Sequence, residues 1–341
     1  MPLLSELGLS VPIVAAPMAG GPTTPELVVA ADRAGGIGFL AAGYLSAEAL
    51  ETKIGAVRRQ TSHLGVNLFA PNPVPVDRTA YRAYRERLRA DADRLGVVLP
   101  EDPVEDDDGW RDKVDLLTDA PVPVVSFTFG VPERAVLDAL HAVGSVLVQT
   151  VTSADEARLA EAAGVDALAV QSSAAGGHWG TLTPSEPPSS HAGLGQLLAE
   201  VSASSELPII AAGGIADAAT VRAALTAGSA AVAVGTVLML SPEAGTSDAH
   251  RAALSAGDRI TVVTRAFSGR PARGLRNAFI DRYDAVAPLG YPALHHLTSP
   301  VRRAAAAAGD PELVHLWAGT GYRAATTDPA ETIMRQLAAQ L

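Results

Sequence analysis

The 341-residue chain contains no cysteine, so it has no disulfide bonds, no thiolate nucleophile and no metal site with sulfur ligands. Its eight histidines include no pair at HxxxH or HxH spacing, and no His, Asp and Glu group has the spacing of metal ligands. The GxSxG turn of serine hydrolases is also missing. These absences argue against metal-dependent hydrolysis and against serine or cysteine catalysis, and we expect no bound metal.

A concentrated basic surface is lacking too. The formal net charge is −11, from 26 Lys and Arg against 37 Asp and Glu, and the arginines are spread along the chain. We expect no nucleic-acid partner, because binding phosphates requires a concentrated basic face. No apolar run reaches the length of a membrane span, and the first residues lack the basic segment of a signal peptide. We therefore expect a soluble cytoplasmic protein that binds neither nucleic acid nor membrane.

Short apolar runs alternate with alanine-rich segments of helical periodicity, and apolar residues make up 48% of the chain. The predicted strands are Ile13–Ala16, Gly38–Ala41, Gly65–Phe69, Val122–Phe127, Ser145–Thr150, Ala167–Gln171, Pro208–Ala212 and Ala230–Val234. The predicted helices are Pro25–Ala34, Ala47–Gln60, Trp110–Thr118, Pro132–Ala142, Ala154–Ala163, Gly193–Ser202 and Ala218–Ala227. Eight strands alternating with helices predict an α/β fold, a (β/α)₈ TIM barrel over residues 1–240, with a doubly wound open sheet as the alternative.

Two segments depart from this alternation. Residues 71–108 follow the third strand with an amphipathic helix and the acidic run Glu101–Asp108. This excursion is either a lid at the mouth of the barrel or a surface segment without a chemical role. Residues 241–341 predict a mostly helical subdomain packed on the barrel. Its predicted helices are Ser247–Ala256, Ala272–Tyr283, Pro292–Gly309 and Pro329–Leu341.

Glycine turns follow the last two predicted strands. Gly213 and Gly214 end the seventh strand, and Gly235 and Thr236 end the eighth. In a TIM barrel the active site lies at the carboxyl ends of the strands, and phosphate commonly binds after the last two. Backbone N–H groups in such turns can hold a phosphate without a basic side chain. The two turns together predict a phosphorylated cofactor, although a tight turn alone also requires glycine.

Other strand ends carry groups suited to a flat ring system. The first strand ends in Ala16-Pro17-Met18-Ala19-Gly20, where small residues leave room for a ring and a methionine can press on it. Asn67 and Gln171, at the ends of the third and sixth strands, have amides that can bond a heterocycle or cap the local backbone. The fourth strand ends with Phe127 and Phe129, which are either pocket or core residues.

The sixth predicted strand opens into a glycine-rich loop that contains Gly176, Gly177, His178 and Trp179. Glycine has no Cβ, so a flat ligand can approach the backbone, and a histidine there titrates near neutral pH. We interpret His178 as a general base that assists a cofactor, with an incidental histidine in a surface turn as the alternative. We interpret four other histidines as surface or packing residues, namely His63, His141, His250 and His315.

Eight stretches of the chain form a recognisable set. They are APMAGGPTTPELVVAADRAGGIGFLAAGY (Ala16–Tyr44), GVNLF (Gly65–Phe69), SFTFG (Ser126–Gly130), AAGGHWGT (Ala174–Thr181), PIIAAGGI (Pro208–Ile215), VAVGT (Val232–Thr236), GRPARGLRNAF (Gly269–Phe279) and LWAGTG (Leu316–Gly321). In this order they closely resemble the nitronate monooxygenases, formerly called 2-nitropropane dioxygenases. The resemblance implies a TIM barrel that binds FMN, with His178 as the catalytic base.

The resemblance also implies which residues surround the ligands. The residues that it places against FMN are Asn67, Gln171, Gly176, Gly213, Val232, Ala233, Val234, Gly235 and Thr236. With them we expect Ala16, Pro17, Met18, Gly177 and Gly214 at the cofactor. We expect the substrate pocket to include Ala19, Gly20, Phe127, Phe129 and Trp179. The chain departs from the family pattern here, because Ala174, Trp179 and Thr320 stand where Glu, Arg and Gln are frequent.

The expected reaction is the oxidation of nitroalkanes or alkyl nitronates by O₂ to a carbonyl compound and nitrite. The partners are then a small-molecule substrate and O₂, and a homodimer is a further possibility. A second enzyme hypothesis keeps FMN but makes the protein an NAD(P)H-dependent enoyl-ACP or quinone reductase. Two further hypotheses are a specialised biosynthetic flavin oxygenase and a binding protein that has lost turnover.

Overall fold

The computed structural model describes residues 9–185, 193–339 and 341. Eight parallel strands close into a barrel in the order β1-β2-β3-β4-β5-β6-β8-β9, and β9 pairs back with β1. These strands are β1 Ile13–Ala15, β2 Ile37–Ala41, β3 Leu64–Phe69, β4 Val124–Thr128, β5 Val146–Val151, β6 Ala167–Gln171, β8 Ile209–Ala212 and β9 Ala231–Val234. The predicted TIM barrel is confirmed. The alternative of an open sheet is wrong, because the first and last strands, β1 and β9, pair with each other.

The described ranges contain twelve α-helices, of which seven lie before residue 203 and five after it. The first seven are α1 Pro25–Arg33, α2 Ala47–Arg58, α3 Arg78–Leu95, α4 Trp110–Asp119, α5 Arg134–Ala142, α6 Ala154–Ala163 and α7 Leu194–Ser202. The others are α8 Ala218–Thr226, α9 Asp248–Ala256, α10 Ala278–Tyr283, α11 Ala293–Ala307 and α12 Ala330–Ala338. None of them is long and apolar enough to cross a membrane, as far as the described ranges extend.

The alternation of side chains along each strand separates two environments. In β4, Val125 and Phe127 belong to the main apolar core between the barrel and its helices, whereas Ser126 and Thr128 hydrogen-bond to Asn67 of β3. A smaller apolar cluster, which includes Val14, fills the barrel. The apolar strand sequences are therefore explained by burial on both faces.

A second core joins the 71–108 excursion to the segment after residue 240. Tyr81, Tyr84 and Leu88 of α3 are fully buried in it, beside residues of α10 and α11. The Tyr84 hydroxyl donates to the carbonyl of Ala266 at 2.6 Å. The excursion is therefore packed against the C-terminal segment over a full helical face, rather than being a loose surface loop.

The C-terminal segment also contains strands that the sequence did not predict. Strand β10, Thr261–Thr264, pairs with β11, Ala272–Leu275, and β11 pairs in turn with the two-residue strand β7, Gly177–His178. The helix predicted from Ala272 therefore begins only at Ala278, because the residues before it are extended by strand pairing.

One buried carboxylate connects the excursion to α10, and it predicts a stability effect. Asp91 accepts two hydrogen bonds from Arg282 and one of 2.6 Å from the Tyr283 hydroxyl. Replacing Asp91 with alanine leaves these donors unpaired, and we expect a loss of about 2 kcal/mol in the free energy of unfolding. Urea denaturation followed by circular dichroism measures this loss.

The matched control is Glu86→Ala in the same helix. In the part of the chain that the structure describes, Glu86 pairs only with Arg89, and both side chains are 60% exposed, so we expect a change below about 0.5 kcal/mol. Equal effects of the two substitutions would contradict the role assigned to Asp91.

Candidate active site

A cavity of about 590 Å³ lies at the carboxyl ends of the barrel strands. Its walls come from the strand ends and from the C-terminal segment, which covers them. Most of the predicted ligand-binding residues line it. They are Ala16, Pro17, Met18, Ala19, Gly20, Asn67, Phe129, Gln171, Gly176, Gly177, His178, Gly213, Gly214, Ala233, Gly235 and Thr236. The position agrees with the usual active-site end of a TIM barrel.

His178 is held in this cavity by residues about 90 positions later in the chain. Its strand, β7, pairs with β11 so that His178 lies opposite Ala272, and the next amide, that of Trp179, donates to the Pro271 carbonyl at 3.0 Å. The His178 Nε2 is 2.7 Å from the Ser268 hydroxyl. The other ring nitrogen, Nδ1, has no hydrogen-bond partner among the described residues and remains free to take a proton.

The surroundings of His178 keep it uncharged. Burial, followed by the positive charges of Arg270 and Arg302, lowers the pKa of His178 to about 3. Aromatic rings complete its environment, with the Phe129, Trp317 and Tyr291 rings at 5.8, 5.4 and 5.7 Å between centroids. At neutral pH the imidazole is therefore neutral and can act as a proton acceptor.

The two strand-end amides differ in what they offer a ligand. The Asn67 carbonyl oxygen accepts from the hydroxyls of Ser126 and Thr128 at 2.9 and 3.0 Å, so its NH₂ group is left without a partner among the described residues. The Gln171 oxygen accepts from the Gly180 amide at 2.7 Å, and its nitrogen donates to the His178 carbonyl at 3.2 Å. Asn67 is thus available to a ligand, whereas Gln171 mainly fixes the loop that carries His178.

The glycine turn after β8 is a cradle that side chains would block. Gly213 and Gly214 both have positive φ, at +100° and +77°. A Cβ at Gly213 would lie 2.5 Å from the Ser172 Oγ, so only glycine fits there. Neither glycine N–H donates to another residue of the described chain. Free N–H groups before the N-terminus of α8 fit the phosphate of a cofactor.

Four of the residues expected at the ligands do not line the cavity. Phe127 points away from the cavity into the core, where its ring meets Trp110, because Ser126 and Thr128 occupy the inner face of β4. Trp179, which follows β7, is 4% exposed and does not line the cavity. Val232 and Val234 likewise direct their side chains to the main core, and only Ala233 of β9 lines the cavity.

Several cavity residues were missed because they come from the C-terminal segment. His250 and His315, interpreted from the sequence as surface or packing residues, both line the cavity, as do His295, Ser299 and Arg302. The last three are spaced at i, i+4 and i+7 on α11, a helical pattern of polar residues that could have indicated a functional face. Arg270 and Arg273, in the stretch Gly269–Phe279, donate to the backbone carbonyls of Thr181 and Ser173.

The cavity has an unbalanced positive charge. Arg302 and Arg303 line it, and no Asp, Glu or Lys of the described residues does. Arg302 is only 6% exposed, and its guanidinium donates to Thr298, His295 and His315, all of which are neutral groups. A buried cation without a carboxylate partner favours an anionic ligand.

Metal ligation does not explain this cluster of histidines. No group of three or more His, Asp or Glu in the described parts of the chain is arranged to hold a metal ion. The features that the site does combine are a neutral histidine, a glycine cradle and buried positive charge.

Comparison with known proteins identifies the family. The profile of the nitronate monooxygenase family matches residues 1–340. The chain belongs to this family. As a nitronate monooxygenase family member it is a flavin oxidoreductase, and its TIM barrel is that of its relatives.

Three relatives illustrate the range of similarity. A probable nitronate monooxygenase of Staphylococcus aureus (strain Newman) is 36% identical over 344 aligned positions, which cover 99% of this chain and 96% of the relative. The nitroalkane oxidase of Streptomyces ansochromogenes is 41% identical with a TM-score of 0.94, covering 100% of this chain and 98% of the other. FabK of Thermotoga maritima is 26% identical with a TM-score of 0.76, covering 98% and 94%.

The histidines around the cavity predict acid sensitivity. Burial lowers the pKa of His250 to about 4, and the pKa values of His178, His295 and His315 are also lowered. Below about pH 6.5 the unfolded chain takes up protons at these positions while the folded chain does not, so stability falls as pH decreases. Each histidine contributes up to about 1.4 kcal/mol per pH unit until its folded pKa is reached.

Urea unfolding midpoints at pH 7.5 and pH 5.5 test this expectation. Carboxylates remain largely ionised over this interval, so the histidines dominate the change. His250→Gln removes one of the four groups and is expected to flatten the decline. A midpoint that stays constant between the two pH values would show that the folded chain takes up as many protons as the unfolded chain, and would contradict the lowered pKa values of these histidines.

Proposed function

We propose that the enzyme uses FMN and O₂ to oxidise nitronates to a carbonyl compound and nitrite, and that His178 forms the nitronate when a nitroalkane is supplied. The observation that carries this proposal is a neutral histidine with a free ring nitrogen beside a cavity lined by buried positive charge. Membership of the nitronate monooxygenase family and similarity to a nitroalkane oxidase support it.

The chain has groups suited to each part of FMN. The free N–H groups of Gly213 and Gly214, followed by the N-terminus of α8, suit the phosphate. The Asn67 NH₂ group and the small residues near Met18 suit a flat ring. Bound FMN would supply the redox chemistry that side chains lack, by accepting electrons from the nitronate and passing them to O₂.

The charge of the cavity favours the nitronate over the neutral nitroalkane. A nitronate is an anion, and Arg302 has a buried positive charge that no described carboxylate balances. A nitronate bound in the cavity would supply the missing negative charge, and no lining carboxylate would repel it. Arg302 therefore acts as an anchor for the anionic form of the substrate.

The same charges affect proton removal in two opposite ways. Arg270 and Arg302 lower the pKa of His178, which weakens it as a base, yet they also stabilise the anion that proton transfer creates. The negative charge of the nitronate then raises the pKa of His178, so the proton is retained at Nδ1. Ser268 meanwhile holds Nε2 and fixes the orientation of the ring.

Anaerobic mixing of the flavin-loaded protein with propionate 3-nitronate or ethyl nitronate tests the proposed reaction. We expect the visible flavin band to bleach, and nitrite to form when air is admitted. The parallel mixture contains NADH in place of nitronate. Bleaching by NADH alone would overturn the proposal in favour of an NAD(P)H-dependent reductase, and a flavin band unaffected by either compound would also contradict it.

Replacing His178 with alanine tests the assignment of the base. A positioned general base contributes about 10²–10⁴-fold to a proton transfer, so turnover of nitroethane is expected to fall by about that factor. Turnover of ethyl nitronate, which needs no proton removal, is expected to fall much less. Steady-state oxygen consumption with both substrates gives the two ratios.

The control variant is His250→Gln, which changes another neutral, cavity-lining histidine. His250 has its Nε2 3.0 Å from the Trp317 carbonyl, whereas the His178 Nε2 is bonded to Ser268. We expect it to affect nitroethane and ethyl nitronate equally. Equal losses on the two substrates in the His178 variant would remove the base assignment and leave His178 a role in binding only.

A further inference from the structure

The acidic run at the end of the excursion is attached to neighbouring parts of the fold, one of which is the cavity residue Tyr44, although its composition predicts a solvated loop. Glu105 accepts from the Val76 amide at 3.3 Å, and Asp106 is paired with His296 of α11 at 2.7 Å. Asp108 makes the two remaining attachments, one to Tyr44 and one to Lys113. Four contacts over four residues hold this loop in one place.

Asp108 is itself fixed by a buried lysine. Lys113 is 1% exposed and is one of only two lysines in the chain. Its ammonium group lies 2.6 Å from the Asp108 Oδ2. A buried ammonium is costly without a partner, so the ion pair restrains both side chains. The second carboxylate oxygen of Asp108 is then available for another contact.

That second oxygen holds Tyr44 in an unfavourable backbone conformation. The Tyr44 N–H donates to the Asp108 Oδ1 at 2.7 Å, and Tyr44 has a φ of 67°, in the left-handed region. A bulky residue adopts this region only when its surroundings impose it. The Asp108 carboxylate is the described group that bonds the Tyr44 amide.

The conformation of Tyr44 decides where its ring lies. The ring lines the cavity and stacks on His295, with centroids 4.2 Å apart and planes within 3°. Its hydroxyl is 3.3 Å from that of Tyr291, whose ring in turn contacts His178. Tyr44 is therefore part of the wall that continues to the proposed base.

We propose that Asp108 is a positioning residue for substrate binding, acting through the Tyr44 backbone and anchored by Lys113. The excursion thereby belongs to the active site: it shapes one wall of the cavity from outside. The inference rests on the proposed function in one respect, because it requires that the substrate occupies this cavity. Loss of the Asp108 carboxylate lets Tyr44 leave the left-handed region and withdraw its ring from His295.

The test compares Asp108→Ala with Asp107→Ala in the flavin-loaded enzyme. Asp107 is the adjacent acidic residue, but its one hydrogen bond within the described residues comes from the Gly109 amide and not from Tyr44. We expect Asp108→Ala to raise KM for ethyl nitronate about tenfold, which corresponds to the free energy of about one hydrogen bond, with kcat changed less than about twofold. Asp107→Ala is expected to leave both constants unchanged.

A Tyr44→Gly background separates the positioning role from a general loss of structure. Glycine adopts a positive φ without cost and has no ring to position, so Asp108→Ala is expected to have no further effect on KM there. A tenfold effect that persists in this background would overturn the proposal. Where Asp108→Ala alone folds poorly, adding Lys113→Met removes the unpaired ammonium, and the same KM increase is expected.

Amide hydrogen exchange provides a measurement that does not depend on turnover. In Asp108→Ala the peptide containing Tyr44 is expected to exchange faster, whereas in Asp107→Ala it is expected to exchange as in the wild type. If the wild-type protein does not oxidise nitronates, the proposed function fails but exchange still tests the link between Asp108 and Tyr44. Unchanged exchange at Tyr44 would overturn that link whatever the activity.

Discussion

The antiparallel pairing of β7 with β11 is the interaction on which this active site depends. The two strands pair through only two residues each, but this pairing fixes the backbone of His178 opposite Ala272 and brings Ser268 to its ring. A glycine-rich loop alone would leave the histidine free to adopt many conformations. The C-terminal segment therefore completes a site that the barrel strands only begin.

The electrostatics of the cavity follow from the same covering segment. Arg302 reaches the cavity from α11, and its described partners are the neutral groups of Thr298, His295 and His315. Burial keeps these histidines uncharged, so they accept hydrogen bonds without cancelling the charge of the arginine. The result is a positive cavity whose base is neutral, a combination that suits an anion formed by loss of a proton.

Much of the fold could be predicted because each local sequence pattern agreed with the barrel that the patterns form together. The apolar strands, the glycine turns after β8 and β9 and the helix that begins at Pro25 all belong to a repeating βα unit. Phe127 was expected in the pocket from its position at a strand end, but side chains alternate along a strand, and its neighbours Ser126 and Thr128 occupy the inner face. Trp179 was expected there because it follows His178, but its side chain is buried outside the cavity.

By itself the sequence determined the barrel, its catalytic end and the glycine-rich turns, because these depend on local periodicity and on backbone conformations that few residues allow. Only the tertiary structure decided which distant residues meet His178, which aromatic rings line the cavity and where the acidic loop is attached. Those contacts join residues up to about 250 positions apart, such as Tyr44 and Tyr291. No local pattern encodes them, because they arise when the second core packs the excursion and the C-terminal helices together over the mouth of the barrel.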